Sequence, residues 1–181
     1  LTDADYNIAI GYSSLSSDTL GSRSVAIGRS ALSAQNFTTA TDSYNTAVGY
    51  AAGTAMTTGV QNTLIGGLAG DALTDADFNV AIGMQALTAD TLGSRSIAIG
   101  HGALETQNFT TATDSYNVAM GFKAGNLVTT GVQNTIIGGL AGDAITTGNY
   151  NLAIGHQALS ANTTADYNVA VGRNALYTNI L

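Results

Sequence analysis

The sequence predicts an all-β protein, a parallel β-solenoid of ten coils. A five-residue signature ending in glycine occurs ten times, and its copies lie 17 or 21 residues apart. Charged residues make up only 9% of the chain, and proline and cysteine are absent. A short period sustained over a whole chain is typical of solenoids, in which each coil buries its apolar residues against the next coil.

The signature reads Asn or Ser, then an aliphatic residue or Thr, then Ala, Leu or Ile, then an aliphatic residue, and finally Gly. It first occurs at residues 7–11. A recurring pair of residues, usually Ala-Leu or Ala-Gly, begins three residues after each signature glycine. Four successive signatures span 72 residues, and residues 18–72 match residues 90–144 at 42 of 55 positions. The ten signature glycines are Gly11, Gly28, Gly49, Gly66, Gly83, Gly100, Gly121, Gly138, Gly155 and Gly172.

This regularity predicts a single repeat array over residues 1–181, with a super-repeat of four coils. The sequence starts and stops inside a repeat, so we expect it to be a segment of a longer fibre.

The repeating signature predicts a short β-strand in every coil. Each run is four or five residues long and ends at glycine, which excludes a helix by length and by the frequency of helix breakers. Two strands and two turns fit into a 17-residue coil. Successive side chains of a strand point to opposite faces, and here both faces are apolar, so we expect the strand to be covered on both sides.

One of the two faces carries small residues. The pattern does not assign the faces to core and contact surface. We expect the alanine face to contact another chain, because one thin coil can cover only one face and small side chains let a second backbone approach. The predicted chain-contact or core alanines are Ala9, Ala26, Ala47, Ala81, Ala98, Ala119, Ala153 and Ala170.

The first signature residue is Asn in eight coils and Ser in the other two, Ser24 and Ser96. An asparagine side chain can bond to a neighbouring backbone or to the asparagine one coil away, as in stacked β-structures. The sequence therefore predicts an internal ladder rather than a ligand site. Its members are Asn7, Asn45, Asn62, Asn79, Asn117, Asn134, Asn151 and Asn168.

Two features are not required by the fold and are our predicted surface contacts. The two 21-residue coils carry four extra residues, which include Phe37 and Phe109. These rings either contact a partner or fold back over their own coil. An aromatic residue, such as Tyr44 or Tyr116, also precedes many signatures, where rings could contact glycans or pack along the rod.

The signature resembles the head repeats of trimeric autotransporter adhesins of the YadA type, and it is similar to β-roll segments of phage tail fibres. The resemblance covers essentially the whole chain, although its coils are longer than the compact head repeats. It implies a left-handed parallel β-roll, an intertwined homotrimer, and a place at a cell surface or in a virion tail fibre. No membrane anchor or coiled-coil heptads are evident in the sequence.

Catalytic, cofactor and metal sites are not predicted. Without cysteine there is no thiol chemistry, and a net charge of −7 argues against binding a nucleic-acid backbone. No apolar run approaches the ~18 residues of a spanning helix. The acidic pairs Asp3/Asp5 and Asp75/Asp77 and the histidines His101 and His156 are interpreted as surface residues, and Arg23 and Arg95 as ion-paired near Asp18 and Asp90.

The predicted function is therefore structural. We expect a rigid, non-enzymatic spacer or head segment that supports attachment to a host or surface, with further copies of the chain as its partners. The alternative is an adhesin module that binds host glycans or matrix directly.

Overall fold

A computed structural model describes residues 4–178 as a parallel β-solenoid with no helix in that range. Residues 1–3, including Asp3, and residues 179–181 lie outside the described range. We number the coils 1–10 by their signature glycines. The predicted fold class is confirmed in its architecture, which is all-β, parallel and wound in coils that are mostly 17 residues apart.

Each coil contributes one three-residue strand, formed by the middle of its signature. These strands stack in coil order into one ten-stranded parallel sheet. The register is strict, since the central residue of each strand pairs with the central residue of the next, as Ala81 does with Ala98. The ten strands are β1 (Ile8–Ile10), β3 (Val25–Ile27), β5 (Thr46–Val48), β6 (Thr63–Ile65), β7 (Val80–Ile82), β9 (Ile97–Ile99), β11 (Val118–Met120), β12 (Thr135–Ile137), β13 (Leu152–Ile154) and β14 (Val169–Val171).

Among residues 4–178 the second strand expected in every coil is present only around the two longer coils, where two-residue strands pair in parallel. These are β2 (Gly21–Ser22) with β4 (Thr41–Asp42), and β8 (Gly93–Ser94) with β10 (Thr113–Asp114). Elsewhere the return path is made of turns. Residues two and four positions after the signature glycine, such as Ser30 and Leu32, have φ near +60° and +48°, which interrupts an extended strand.

The signature glycine is required by close approach between coils. At Gly83, where φ is +130°, a Cβ atom would lie 2.6 Å from the carbonyl group of Gly100 in the next coil. No side chain can be accommodated at that distance. The spacing of the glycines therefore sets the register of the whole sheet.

The core is a continuous column inside the coils. It contains the central strand residue, the Ala-Leu or Ala-Gly pair after the glycine, and the ladder asparagines. Leu64, which replaces the usual alanine of a strand centre, lies against Gly53 and Gly70, whereas six coils pair a central alanine with a leucine four residues after the signature glycine. Large and small residues thus alternate so that the narrow interior is filled.

Candidate interaction surface

The alanine face lies inside the chain's own coils, so the expectation that it contacts another chain is wrong. Seven of the eight predicted alanines are buried within a single chain, and most have no exposed surface at all. Ala9 is exposed because it belongs to coil 1, the first coil of the described sheet. The physical reason is size: a coil this narrow has room for a methyl group between its two walls, but not for two rows of branched side chains.

The outward face of the ten-stranded sheet is the surface that lacks a cover. We call it the strand face, and it consists of the first and third residues of each strand. Its twenty side chains are Val, Ile, Leu, Met or Thr, without a single charge. Within the rod they are half-buried by their neighbours, and at the last coil Val169 and Val171 are 67% and 62% exposed. The branched side chains predicted to fill the coil interior are therefore at the surface.

One border of the strand face carries the residues that precede the signature Asn or Ser, which we call the outer stack. In order along the rod they are Tyr6, Arg23, Tyr44, Gln61, Phe78, Arg95, Tyr116, Gln133, Tyr150 and Tyr167. All ten have φ between +49° and +64°. The aromatic and arginine members stack on neighbours one coil away, and the rings of Tyr150 and Tyr167 are parallel at 4.9 Å.

The two outer-stack arginines lie between aromatic rings. The guanidinium carbon of Arg23 is 5.0 Å from the ring centre of Tyr6 and 5.8 Å from that of Tyr44, and Nε is 2.9 Å from Asp42. Arg95 repeats this arrangement with Phe78, Tyr116 and Asp114, its Nε lying 3.0 Å from that carboxylate. The hydrogen bond and charge of Asp42 raise the pKa of Arg23.

These contacts correct the predicted ion pairs. Asp18 and Asp90 are buried, and their carboxylates accept hydrogen bonds from Gln35 Nε2 at 2.7 Å and Gln107 Nε2 at 2.6 Å instead of pairing with arginine.

Phe37 and Phe109 are packing residues, so their prediction as contact sites is wrong. They are 5% and 6% exposed. The ring of Phe109 covers Gly93, where a Cβ atom would lie 2.8 Å from it, and its backbone N–H donates to Asp90 Oδ1 at 3.0 Å. The extra residues of the long coil therefore fold back over the preceding coil. In the sequence, an aromatic residue among polar residues is equally compatible with a segment that folds back over the rod and with a surface bulge.

Tyr44 and Tyr116 are both 52% exposed. One face of each ring is covered by an arginine of the outer stack, and the Tyr44 hydroxyl lies 3.4 Å from Asp42. The Tyr116 hydroxyl donates in the same way to Asp114, so the ring edges are the parts open to a ligand.

The asparagines form hydrogen-bonded columns inside the rod. Asn62 Oδ1 accepts the backbone N–H of Asn79 at 2.9 Å, and Asn62 Nδ2 donates to the carbonyl of Ala76 at 2.8 Å. The same pattern recurs along the array, with Asn7 and Asn168 at its less buried ends. Where Ser24 or Ser96 replaces asparagine, the space admits the amide of Gln35 or Gln107, which donates to the serine hydroxyl. These side chains form hydrogen bonds within the chain and stabilise the stacking of the coils.

The opposite border of the strand face carries the residue after each signature glycine. Arg29 lies between Tyr12 and Tyr50, with ring centres 6.0 and 5.8 Å from its guanidinium carbon. His101 stacks on Phe122 at 5.5 Å, and its Nδ1 is buried without a hydrogen-bond partner. The sequence did not lead us to predict this row of side chains, although their position one residue after each signature glycine can be read directly from it.

Residues 4–178 contain no cleft and no cluster of three or more His, Asp or Glu side chains placed to hold a metal ion. In the same range no helix has the length and apolar character needed to cross a membrane. Asp5, Asp75 and Asp77 lie on coil turns, with Asp75 accepting a hydrogen bond from Thr58 and Asp77 one from the backbone N–H of Val60. His156 is exposed. No family model, curated protein or solved structure matches the chain.

Proposed function

We propose that this chain is a rigid structural segment of an oligomeric fibre, and that copies of the chain assemble through the strand face. The observation that carries the proposal is the uncharged outward face of the ten-stranded sheet, which the chain's own coils leave uncovered. At about 4.8 Å per coil the ten coils span about 48 Å. The work of such a segment is mechanical: it holds a recognition element away from a surface.

The size of the strand face supports this proposal. With its two borders it is at most about 20 Å wide, since six residue-to-residue steps of at most about 3.3 Å lead from the outer-stack residue to the residue after the signature glycine. An area of that width and length is comparable to the ~800 Å² per partner of a standard protein interface. Isolated soluble chains rarely leave so continuous an apolar area in water.

The three-chain assembly, the left-handed winding and the place at a cell surface or in a virion fibre come from the resemblance to YadA-type heads and tail fibres. They belong to the same proposal. Three chains around one axis would bring three strand faces together and remove all of them from water.

A pair of substitutions in β9 tests the proposal. Ile99 is on the strand face and Ala98 is in the coil interior. We expect Ile99→Asp to remain folded by circular dichroism but to dissociate in sedimentation, and Ala98→Asp to lose its fold because a charge is buried without a partner. Thr130→Asp, on an exposed turn away from the strand face, is the matched control and stays assembled. A wild-type chain that sediments as a folded 18.2 kDa monomer contradicts the proposal.

The second candidate function is direct contact with glycans or matrix, and the half-exposed rings of Tyr44 and Tyr116 favour it. A glycan-binding assay on the assembled chain tests it. Binding that is lost in the Tyr44→Ala, Tyr116→Ala double variant supports an adhesin module, whereas an inert wild-type chain supports the spacer.

A further inference from the structure

The two borders of the strand face carry opposite charges. The border with the outer stack holds five carboxylates on or next to the turn before each strand, which we call the acidic margin. The opposite border holds three cations one or two residues after signature glycines, which we call the basic margin. The acidic margin consists of Asp5, Asp42, Asp77, Asp114 and Asp166, and the basic margin of Arg29, Lys123 and Arg173.

Within residues 4–178 the cations of the basic margin form no ion pair, although Arg29 and Lys123 lie over aromatic rings of their own border. Among residues 4–178 the ion pairs within 4.0 Å are Arg23–Asp42 and Arg95–Asp114, and both belong to the acidic side. Counting these two arginines, that side keeps a net charge of −3, and the basic margin carries +3. Arg29 and Arg173 are exposed, and Glu105 lies near Lys123 without forming an ion pair with it.

We propose that the acidic margin of one chain docks on the basic margin of the next, so that neighbouring chains run parallel and in register. This inference rests on the proposed function, because it requires assembly through the strand face. A rotation axis parallel to the rods places each acidic margin against a basic margin. An antiparallel pair that meets face to face brings like margins together, which is unfavourable.

The positions of the charges along the rod support a parallel register without an offset. Asp114 and Lys123 belong to coil 7, and Asp166 and Arg173 belong to coil 10. Arg29, in coil 2, lies between the levels of Asp5 and Asp42 in coils 1 and 3. Because every copy has the same spacing between coils, a second copy can match these levels in coils 7 and 10, where Asp114 is shared with Arg95, and can bring Arg29 between Asp5 and Asp42. Asp77, in coil 5, has no cation of the basic margin at its level.

A charge swap in coil 10 tests the pairing. Asp166 and Arg173 are on opposite borders of one chain, separated by seven residues, or about 23 Å of extended backbone at ~3.3 Å per residue. Exposed charges interact over only ~8 Å at physiological salt. We expect Asp166→Lys and Arg173→Asp each to lower the association constant at least about tenfold at physiological ionic strength, because each places like charges in contact between chains. The double variant restores most of the association constant, because it re-forms the pair with its charges exchanged, although the hydrogen bonds that Asp166 Oδ1 accepts from the backbone N–H and Nδ2 of Asn149 stay lost.

Asp143→Lys is the control for net charge. Its site follows Gly138 by five residues, where other coils carry Ser, Thr, Asn, Asp, Glu or Tyr, and it lies on neither margin. It should change the association constant much less than Asp166→Lys does. Circular dichroism verifies that all variants keep their β-structure.

The outcomes separate the two proposals. A monomeric wild-type chain overturns both. A wild-type oligomer that is insensitive to the single reversals, or a double variant that stays as weak as the single variants, overturns the margin pairing and leaves the fibre proposal standing. Loss in both single variants with recovery in the double variant supports it.

Discussion

At the scale of single residues, the outer stack is built on strained backbone. Residues other than glycine rarely adopt a positive φ, and the left-handed conformation costs roughly 1–2 kcal/mol for each L-residue. This chain places Tyr, Phe, Arg or Gln there in all ten coils. The backbone conformation is imposed by the coil, and the planar side chains offset part of its cost by packing along the rod.

Gln133 is suited to measure this strain. Its φ is +57° and its side chain is exposed. We expect Gln133→Gly to raise the free energy of unfolding by about 0.5–1 kcal/mol, because glycine adopts this conformation without the steric penalty. Thr130→Gly, at an exposed site without positive φ, should lower it by about 0.5–1 kcal/mol. Chemical unfolding of both variants provides the comparison. Equal losses in the two would mean that side-chain stacking of Gln133 outweighs its strain.

Asp90 is a buried carboxylate held only by hydrogen-bond donors. Burial raises its pKa, while hydrogen bonds from the Gln107 side chain and from the backbone N–H groups of Phe109, Gly93 and Thr91 lower it by less. The folded state therefore binds this proton more tightly than the unfolded state, in which an aspartate has a pKa of about 3.9. The stabilisation from this group is present below the unfolded value and is lost as the pH rises through the folded value.

The corresponding prediction concerns Asp90→Asn, which stays neutral at every pH. We expect the free energy of unfolding of the wild type, relative to this variant, to increase as the pH falls from about 7 to about 4. Urea unfolding across that range measures the difference. A difference that shrinks on acidification would mean that the hydrogen bonds, and not burial, dominate the pKa of this carboxylate.

At the scale of the coil, the fold depends on matched sizes in two positions. Coil 4 has Leu64 at its strand centre and Gly70 four residues after its signature glycine, whereas coil 5 has Ala81 and Leu87 at the equivalent positions. The Leu64 side chain occupies the space that a side chain on Gly53 or Gly70 would need. The two positions therefore share one volume.

Exchanging the sizes at residues 64 and 70 tests whether they share one volume, with Leu73 kept where coil 5 has Asp90. We expect Leu64→Ala to lower the free energy of unfolding by about 2–5 kcal/mol, because it leaves a cavity, and Gly70→Leu by at least about 1–3 kcal/mol, because it overpacks the core. The double variant should recover part of the loss, because the Cβ atom at residue 70 would still lie 2.8 Å from Leu73 Cδ1, which the exchange leaves in place. A leucine fits the backbone at this position, since Leu87 has φ +56° where Gly70 has +55°. Additive losses in chemical unfolding would show that the two sites do not share a volume.

At the scale of the whole molecule, the rod is an array in which each coil contacts the coils on either side. Stability in such arrays grows with the number of contacts between neighbours. Because residues 73–144 form one complete super-repeat, duplicating them in tandem preserves the phase of every coil. We expect a rod longer by about 19 Å, from four coils of about 4.8 Å each, with a higher melting temperature. Small-angle scattering measures the length, and a rod of unchanged length would contradict a continuous solenoid.

The sequence determined the coil count, the position of each strand and the register between coils. These follow from local facts: a glycine that tolerates no Cβ atom marks the end of each strand, and the spacing of glycines such as Gly83 and Gly100 counts the residues in a coil. The ladder was predictable for the same reason, since identical residues at identical positions of stacked coils must meet. Alternation along a strand also separated its two faces.

Only the tertiary structure decided which face points inward, where Phe109 packs and which carboxylate pairs with Arg95. Two apolar faces are equivalent in a pattern of period two, and the diameter of the closed coil is what admits Ala98 to the interior and leaves Ile99 outside. Phe109 and Asp114 belong to a 21-residue coil, and the backbone of that coil brings them against Asp90 and Arg95 of the preceding 17-residue coil. That path depends on contacts between distant residues, which local patterns do not specify.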